Sequence, residues 1–256
     1  MANSEHKEGK YIYGIISTNQ RQEFGPIGIG GKGDVVYTPP YENLAAVISS
    51  SPIVKYAVTR EDTMAHIKVL EKVMEEYTVL PVRFGTIANS EDAIIEKLLK
   101  ERHQEFVDLL KEMEGKIELG VRDRWTNLDA IFAEVVEENK EIKALKETLL
   151  SGKDEQKQYA SKIKVGQMVQ KALEEKKKKE AAELLEALKP LSLKWRENTT
   201  YGDMNLLNAA FLVSKEKERA FDQKVQELTT AYGERVQLKY IGPVAPYNFV
   251  EVVVRW

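Results

Sequence analysis

The sequence contains no cysteine. Disulfide bonds, thiolate nucleophiles and thiolate-ligated metal sites are therefore excluded. No apolar run approaches the roughly 20 residues that a membrane-spanning helix needs. The polar N-terminal segment MANSEHKEGK also lacks the apolar core of a signal peptide. We therefore expect no membrane span, and the absence of cysteine suits a reducing cytoplasm.

Residues that commonly carry catalysis or bind metals are scarce or poorly placed. The three histidines are His6, His66 and His103, and none has a partner at the spacing of an HExxH zinc site. No GxSxG nucleophile motif occurs. The glycine-rich segment GIGGKGD (28–34) lacks the spacing of a phosphate-binding loop and leads toward a strand, so we interpret it as a hairpin connection. We predict no catalytic residue, no metal and no cofactor.

The chain also has no excess of positive charge, since 38 Lys and Arg residues face 41 Asp and Glu residues. The lysine run EEKKKKE (174–180) is flanked by acids, which favours a solvated helix face over a phosphate-binding patch. No strand carries the aromatic pattern of RNA-recognition sheets. We expect no nucleic acid partner, although an RNA-binding module remains an alternative.

A length of 256 residues favours two domains. We place an α+β domain at residues 1–115. Its predicted strands are YIYGIIS (11–17), DVVYT (34–38) and LAAVIS (44–49). One helix is predicted from Glu61, with Thr59 and Asp62 as a capping box, and a second from about Ser90 to Glu114, burying Ile95.

Residues 116–256 form the second predicted domain, also α+β. The strand KIELGVRDR (116–124) precedes a helix that starts at Thr126. This helix has apolar residues at heptad spacing, and the charged Glu138 is the position where that apolar pattern is weakest. A turn at SGKD (151–154) leads to a long second arm, which gives a coiled-coil hairpin at about 126–189. Further strands are predicted at LSLKW (191–195), MNLLNAAFLV (204–213), RVQLKYI (235–241) and FVEVVVRW (249–256). With a helix after Ser214, this order is a ferredoxin-like βαββαβ plan whose first crossover is the hairpin.

The segment VLPVRFGT (79–86) breaks the pattern of an ordinary strand. Pro81 removes a ladder donor and belongs at an edge or a strand start. Arg83 lies between apolar residues, so we predict that it points inward and has a carboxylate or carbonyl partner. We interpret Pro81, Arg83, Phe84 and Gly85 as a structural motif.

A second unusual segment, IGPVAPYNF (241–249), contains two prolines. Pro243 and Pro246 cannot donate to a sheet, so we predict that the last strand is interrupted there. The resulting stiff bend would display Tyr247 and Asn248, which we predict as protein contacts, while Gly242 joins the two prolines as structural residues. The alternative that both unusual segments only specify the fold stays open.

Four segments in this order, YIYGII, VLPVRFGT, NAAFLV and GPVAPYNFV, resemble the gas vesicle synthesis protein GvpL/GvpF family over nearly the full chain. The family motif GPWPPYSF differs here, since Val244 and Ala245 replace Trp-Pro and Asn248 replaces Ser. The resemblance implies two α+β domains, the first modified ferredoxin-like and the second with coiled-coil helices. It also implies a cytoplasmic, vesicle-associated accessory protein without catalysis.

The resemblance further implies binding to the hydrophobic shell protein GvpA, with other gas vesicle accessory proteins as further candidates, and a role in vesicle nucleation or growth. A shell protein that polymerises through β-pairing must be kept from pairing too early, and an exposed edge or apolar patch could hold it. A small-molecule enzyme on a ferredoxin-like scaffold is the other alternative.

Overall fold

The structure, a computed structural model, describes residues 7–29, 33–151 and 155–254. His6, the glycine-rich positions 30–32 and the predicted turn positions 152–154 lie outside the described residues, as does the side chain of Leu149. The chain divides into two compact units. The first contains the described residues up to Glu118 and those from Gly242 onward, and the second spans Leu119–Ile241.

The first unit contains a sheet whose two longest strands, β1 (Glu8–Ile16) and β5 (Leu44–Pro52), are antiparallel neighbours. The shorter strands are β2 (Glu23–Gly25), β3 (Val36–Tyr37), β4 (Pro40–Tyr41), β6 (Val79–Pro81) and β7 (Ile87–Ala88). The strand order is β2-β3-β5-β1-β6, with β4 paired to β5 and β7 paired to β1. The β-branched and aromatic runs predicted as strands thus form the centre of this sheet.

Helix α1 (Arg60–Met74) begins as its sequence predicts, since the Thr59 hydroxyl accepts a hydrogen bond from the Asp62 N–H at 3.0 Å. The helix predicted from Ser90 is divided into α2 (Glu91–Ile94), a π-helical segment and α3 (His103–Met113). The π-helical segment, Ile95–Lys100, inserts an extra residue into the turn. Ile94 is consequently fully buried in place of the predicted Ile95.

The second unit contains a four-stranded sheet and the helices that follow its first strand. Its strands are β8 (Lys116–Trp125), β9 (Lys194–Glu197), β10 (Asn205–Ser214) and β11 (Val236–Val244), in the order β11-β8-β10-β9. The helices are α4 (Leu128–Glu138), α5 (Lys140–Ser151), α6 (Glu155–Leu188) and α7 (Glu218–Tyr232). Along the chain the order is strand, helices, strand, strand, helix, strand.

Helices α4 and α5 pack against α6 and form the predicted hairpin. The first arm is not one continuous helix, because it breaks at Asn139, beside the weak heptad position Glu138. The Asn139 side-chain oxygen caps α5 by accepting from the Ile142 N–H at 3.2 Å. Asn127, not the predicted Thr126, caps α4. Helix α6 has 34 residues, which corresponds to about 51 Å at about 1.5 Å per residue.

Two predictions about the C-terminal segment are wrong. Strand β11 continues through Pro243 to Val244, because β11 lies at the sheet edge, where a missing N–H need not cost a ladder bond. The predicted strand 249–256 does not form over its described part, where Val252 makes only an isolated parallel bridge with Val82. Both bridge residues, like the other described residues after Ile241, belong to the first compact unit.

Among the helices of the described ranges, none combines the length and apolar character needed to cross a bilayer.

Candidate functional site

Buried tyrosines of β1 connect several segments of the first unit. The Tyr11 hydroxyl accepts a hydrogen bond from the Gly85 N–H at 2.9 Å and lies 3.0 Å from His66 Nδ1. The Tyr13 hydroxyl accepts from the Ile29 N–H at 2.7 Å. Burial raises the pKa of both phenols, that of Tyr13 to about 12, so both are neutral near pH 7. Their hydroxyl groups hold backbone segments in place.

Phe84 and Gly85 lie directly against this cluster. The Phe84 ring centroid is 5.7 Å from that of His66 and 6.3 Å from that of Tyr11, with edge-on geometry in both pairs. Gly85 has a φ of 81°, a backbone conformation that glycine adopts without steric cost. The two residues therefore form a turn whose ring packs on the core and whose N–H is bound by Tyr11.

The prediction that Arg83 points inward is wrong. Pro81 is the last residue of β6, buried and paired with Gly14 of β1. The strand ends there, so the alternation that would turn Arg83 toward the core does not continue. Arg83 is exposed, and its guanidinium forms no hydrogen bond or ion pair with the part of the chain that the structure describes. An exposed guanidinium needs no buried partner.

The second unusual segment forms a turn after β11. Gly242 has a φ of 126° and is joined to Pro243 by a cis peptide bond. The Pro246 carbonyl accepts hydrogen bonds from the Phe249 N–H at 3.0 Å and the Val250 N–H at 2.8 Å. Tyr247 and Asn248 are thus the central residues of the turn. The predicted bend is present, although it follows the strand rather than interrupting it.

Asn248 donates two hydrogen bonds to the carboxylate of Glu118. The backbone N–H and the side-chain amide of Asn248 donate to the two Glu118 carboxylate oxygens at 2.7 and 2.6 Å. Burial raises the pKa of Glu118, while the hydrogen bonds from Asn248 lower it. Tyr247 remains 38% exposed. The turn is therefore fixed through Asn248 and presents Tyr247.

Two buried ionisable groups lack hydrogen-bond partners at some of their atoms within the described ranges. His66 Nε2 has none, and burial lowers the pKa of His66 to about 4. Neither carboxylate oxygen of Asp123 has one, and burial raises the pKa of Asp123 to about 7. Sequence reasoning missed Asp123, although it shares the alternation of Ile117, Leu119 and Val121, which marks the buried face of β8.

An ion-pair network lies at the base of the helical hairpin in the second unit. Arg235 donates to both Glu134 and Glu180, at distances of 2.7 to 3.0 Å. The Trp125 indole N–H donates to Glu180 at 2.8 Å. Hydrogen bonds from Arg235 lower the pKa of Glu134 to about 2, against the opposing effect of its partial burial. This network connects α4 and α6 to the segment before β11.

The network corrects the interpretation of EEKKKKE as a solvated face. Lys176 lies 3.2 Å from Glu134 and 2.8 Å from Glu138, and its side chain is only 13% exposed. The Glu180 side chain is 11% exposed. One lysine and one glutamate of the run therefore point toward α4, because helical spacing puts them on the same face of α6. The other residues of the run are exposed or partly exposed.

Strand β9 is exposed along its whole length. Trp195 is 48% exposed and the preceding Leu193 is 51% exposed. The Lys189 ammonium lies 4.7 Å from the Trp195 ring centroid. Beside the strand lies a surface groove of about 500 Å³, lined in part by Ala181, Ala182, Leu185 and Leu206. The groove is also lined by charged residues, among them Lys177, Lys178 and Glu186. Exposed apolar side chains surrounded by charged residues are typical of an interaction surface.

Comparison with known proteins identifies relatives that share nearly the full length of this chain. The family described as "Gas vesicle synthesis protein GvpL/GvpF" matches residues 9–251. Gas vesicle protein F of Nostoc sp. is 26% identical over 246 residues, which cover 95% of this chain and 98% of the relative. Gas vesicle protein F1 of Halobacterium salinarum is 28% identical over 248 residues, covering 96% and 94%.

Solved structures share the fold. The crystal structure of the gas vesicle protein GvpF from Anabaena sp. PCC7120 matches with a TM-score of 0.80 and 24% identity, covering 96% of this chain and 100% of that one. GvpF from Microcystis aeruginosa matches with a TM-score of 0.76 and 24% identity, covering 94% and 98%. Since the family match extends over nearly the whole sequence, this chain belongs to the GvpL/GvpF family of gas vesicle synthesis proteins.

Proposed function

We propose that this chain is an accessory protein of gas vesicle assembly that binds the hydrophobic shell protein GvpA and assists vesicle nucleation or growth. The observation that carries the proposal is the family match over residues 9–251, together with relatives named as gas vesicle proteins. The protein would act in the cytoplasm, associated with the vesicle. It would act by binding, without catalysis, cofactor or nucleic acid.

The exposed surface of the second unit supports a binding role. A subunit that assembles through β-strand pairing can be kept apart by a protein that occupies its pairing edge. Strand β9 offers an edge of this kind, with Leu193 and Trp195 exposed. Other accessory proteins of the gas vesicle are further candidate partners.

The turn at Tyr247 is the second candidate contact surface. Tyr247 presents an aromatic side chain on a turn fixed by the Pro246 carbonyl and by the Asn248–Glu118 pair. Both polar donors of Asn248 contact Glu118, so we assign Tyr247 the contact and Asn248 the positioning of the turn. Aromatic side chains on rigid supports are frequent anchors of protein interfaces.

The fold proposal refines the mixed α and β architecture. We propose a ferredoxin-like plan for the second domain, with the hairpin as its first crossover, and a modified version of that plan for the first. The order strand, helices, strand, strand, helix, strand and the sheet order β11-β8-β10-β9 support this assignment in the second unit.

Deletion and co-purification test the function. In a gas-vesicle-forming host, deletion of the gene should abolish or reduce vesicles, and expression of the intact chain should restore them. Tagged protein should co-purify with GvpA, whereas an unrelated tagged protein of similar charge should not. Normal vesicle numbers after deletion, together with no recovery of GvpA, would remove the proposal.

No specific observation favours the enzyme or RNA-binding alternatives. The two buried groups with strongly shifted pKa, His66 and Asp123, do not line the β9 groove. They also do not line a second groove of about 370 Å³ in the first unit, next to Tyr77 and Leu110. An enzyme would bring such groups to a substrate pocket.

A further inference from the structure

The helical hairpin of the second unit is packed at its base and open further out. At the base, Ile142 of α5 and Leu173 of α6 are buried. We call the part beyond these two residues, 143–172, the distal arm. None of its residues whose side chains the structure describes is buried. Within those residues, the two helices of the distal arm therefore enclose no core of their own.

One side of α6 changes from buried to exposed along the helix. Positions seven residues apart lie on nearly the same side of a helix in a coiled coil. On this side Glu180 and Leu173 are buried, whereas Gly166 is exposed and Tyr159 is 70% exposed. The side of α6 that is covered at the base of the hairpin is consequently open in the distal arm. We call the exposed part, with Tyr159, Ile163 and Gly166, the open stripe.

The open stripe has the form of a helix-binding surface. Ile163 follows Tyr159 by four residues, which makes the two side chains neighbours on the helix, and it is 47% exposed. Gly166 has no heavy atom of the described residues within 4 Å of the position that a Cβ would occupy. A glycine in a helix interior costs about 1 kcal/mol relative to alanine, but it lets a second backbone approach closely. An exposed aromatic–aliphatic pair next to such a position suits a helix packed along α6.

The distal arm is basic, although the chain as a whole is acidic. Residues 143–172 contain seven lysines and three acidic residues, which gives a net charge of +4, whereas the whole chain carries −3. Lys146, Lys162 and Lys164 are exposed and form no hydrogen bond or ion pair with the part of the chain that the structure describes. Charged residues that flank an apolar helix seam select partners of opposite charge. The lysines therefore select an acidic partner.

A second copy of this chain fits the open stripe poorly. Two distal arms would bring a charge of +4 against another of +4. Helix α3 is acidic, but its apolar residues Phe106, Leu110 and Met113 are buried in the first unit. That helix therefore has no apolar face left to pack on α6 of another copy. The partner must be a different protein.

We infer that the distal arm binds an acidic amphipathic helix of another protein, which lies along the open stripe and completes a bundle of three helices. The apolar side chains of this helix pack on Tyr159 and Ile163, and its backbone comes closest at Gly166. Its acidic side chains pair with Lys162 and Lys164. From Tyr159 to Leu173 the contact extends about 21 Å, at about 1.5 Å per residue. The contact is separate from the binding of GvpA.

Lysines also attract nucleic acids and anionic lipids, but the open stripe fits these ligands less well. A nucleic acid would use the lysines and gain nothing from the exposed Ile163 or from the free space at Gly166. A lipid surface requires a broad apolar face, whereas Lys162 lies next to Ile163 and one turn from Tyr159. Apolar and cationic side chains in alternation along one side of a helix match a second helix.

The test uses the full-length chain and a synthetic helix as the probe. The probe has about four heptads, with leucine at positions a and d and glutamate at e and g, so that its own charges prevent self-pairing. One control peptide replaces every glutamate by lysine, and the other replaces every leucine by serine. Fluorescence anisotropy at physiological salt should show that the wild-type chain binds the probe and neither control peptide.

Charge reversal tests the selection of an acidic partner. Lys162→Glu combined with Lys164→Glu should weaken binding of the probe at least about tenfold. Lys215→Glu combined with Lys217→Glu makes the same change of net charge at two exposed lysines outside the arm, and affinity should stay within about threefold of wild type.

Two further variants test the open stripe itself. Tyr159→Ala combined with Ile163→Ala removes the apolar contact and retains the helix, because alanine has the highest helix propensity. Affinity should fall at least about tenfold, whereas Val58→Ala combined with Tyr201→Ala, at exposed residues outside the arm, should leave it within about threefold. Gly166→Leu fills the free space and should weaken binding without lowering the free energy of unfolding.

The outcomes separate this inference from the proposed function. No binding of the probe to the wild-type chain, or equal binding to all the arm variants, would overturn the inference. Binding of polyuridylate RNA or of phosphatidylglycerol vesicles in place of the probe, or a dimer that the arm variants abolish, would also overturn it. Co-purification with GvpA decides the proposed function independently, and we expect the arm variants to leave it unchanged. If the double alanine variant loses helicity in circular dichroism, Gly166→Leu and the charge-reversed variant decide.

Discussion

Asp123→Asn should make the stability of this protein less dependent on pH. Asp123 is 1% exposed on the helix-covered face of β8, and neither carboxylate oxygen has a hydrogen-bond partner among the described residues. Burial raises its pKa from 3.8 to about 7. The carboxyl group is consequently neutral in the folded chain at pH 5 but ionised in the unfolded chain.

The sign of the effect follows from this raised pKa. The folded state binds the proton more tightly than the unfolded state, so the stabilising contribution is complete below about pH 4 and is lost as the pH rises through about 7. Each unit of difference in pKa corresponds to about 1.4 kcal/mol. The free energy of unfolding of the wild-type chain should therefore fall by about 4 kcal/mol from this group between pH 4 and pH 8. Asparagine does not ionise and removes this fall.

Urea unfolding between pH 5 and pH 8 measures the difference. Trp125 is fully buried two residues from Asp123, and its fluorescence reports the second unit. The free energy of unfolding of Asp123→Asn, relative to that of the wild type, should increase with pH. The exposed control Asp203→Asn makes the same chemical change and should leave the pH dependence of stability unaltered. Parallel curves for Asp123→Asn and wild type would refute the reasoning, because they would mean that Asp123 is solvated or paired.

Three further substitutions test the contacts described above. Tyr11→Phe leaves the Gly85 N–H without its acceptor and should cost about 1–3 kcal/mol in thermal or urea unfolding; an unchanged midpoint would mean that water reaches Gly85. Arg235→Ala removes four hydrogen bonds to Glu134 and Glu180 and should cost about 2 kcal/mol or more, with Arg235→Lys intermediate; equal stability of the three proteins would show that the network contributes nothing net. Arg83→Ala should change the free energy of unfolding by less than about 0.5 kcal/mol, and a loss above about 2 kcal/mol would restore the idea of a partner for Arg83.

Local patterns predicted most of the elements of this fold. Helix α1 could be predicted from its apolar spacing and the Thr59 cap, and strands β1 and β5 from their β-branched runs. These patterns are reliable because helix and strand periodicity depend on only a few neighbouring residues. The break at Asn139 was visible only as a weak heptad position, since a polar residue in a seam does not by itself show whether the helix bends or ends. The π-helical segment left no comparable signal.

The polar side chains that sequence reasoning misplaced depend on distant partners. Glu118 is buried because Asn248, 130 residues away, supplies two donors, and Glu180 is buried where Trp125 and Arg235, each 55 residues away, meet it. Arg83, in contrast, is exposed where burial was predicted, because β6 ends at Pro81 and the strand alternation does not continue to Arg83. Periodicity predicts which face a side chain occupies, but not whether another segment will cover that face.

Strand β9 illustrates what this distinction means for function. Its sequence, LSLKW leading into RE, alternates like a half-buried strand, yet its position at the end of the sheet leaves its four residues exposed. An exposed apolar side chain on an edge strand is a ready site for contact with another chain. Leu193 and Trp195, each about half exposed, are therefore the residues of the second unit at which we expect a protein partner to bind.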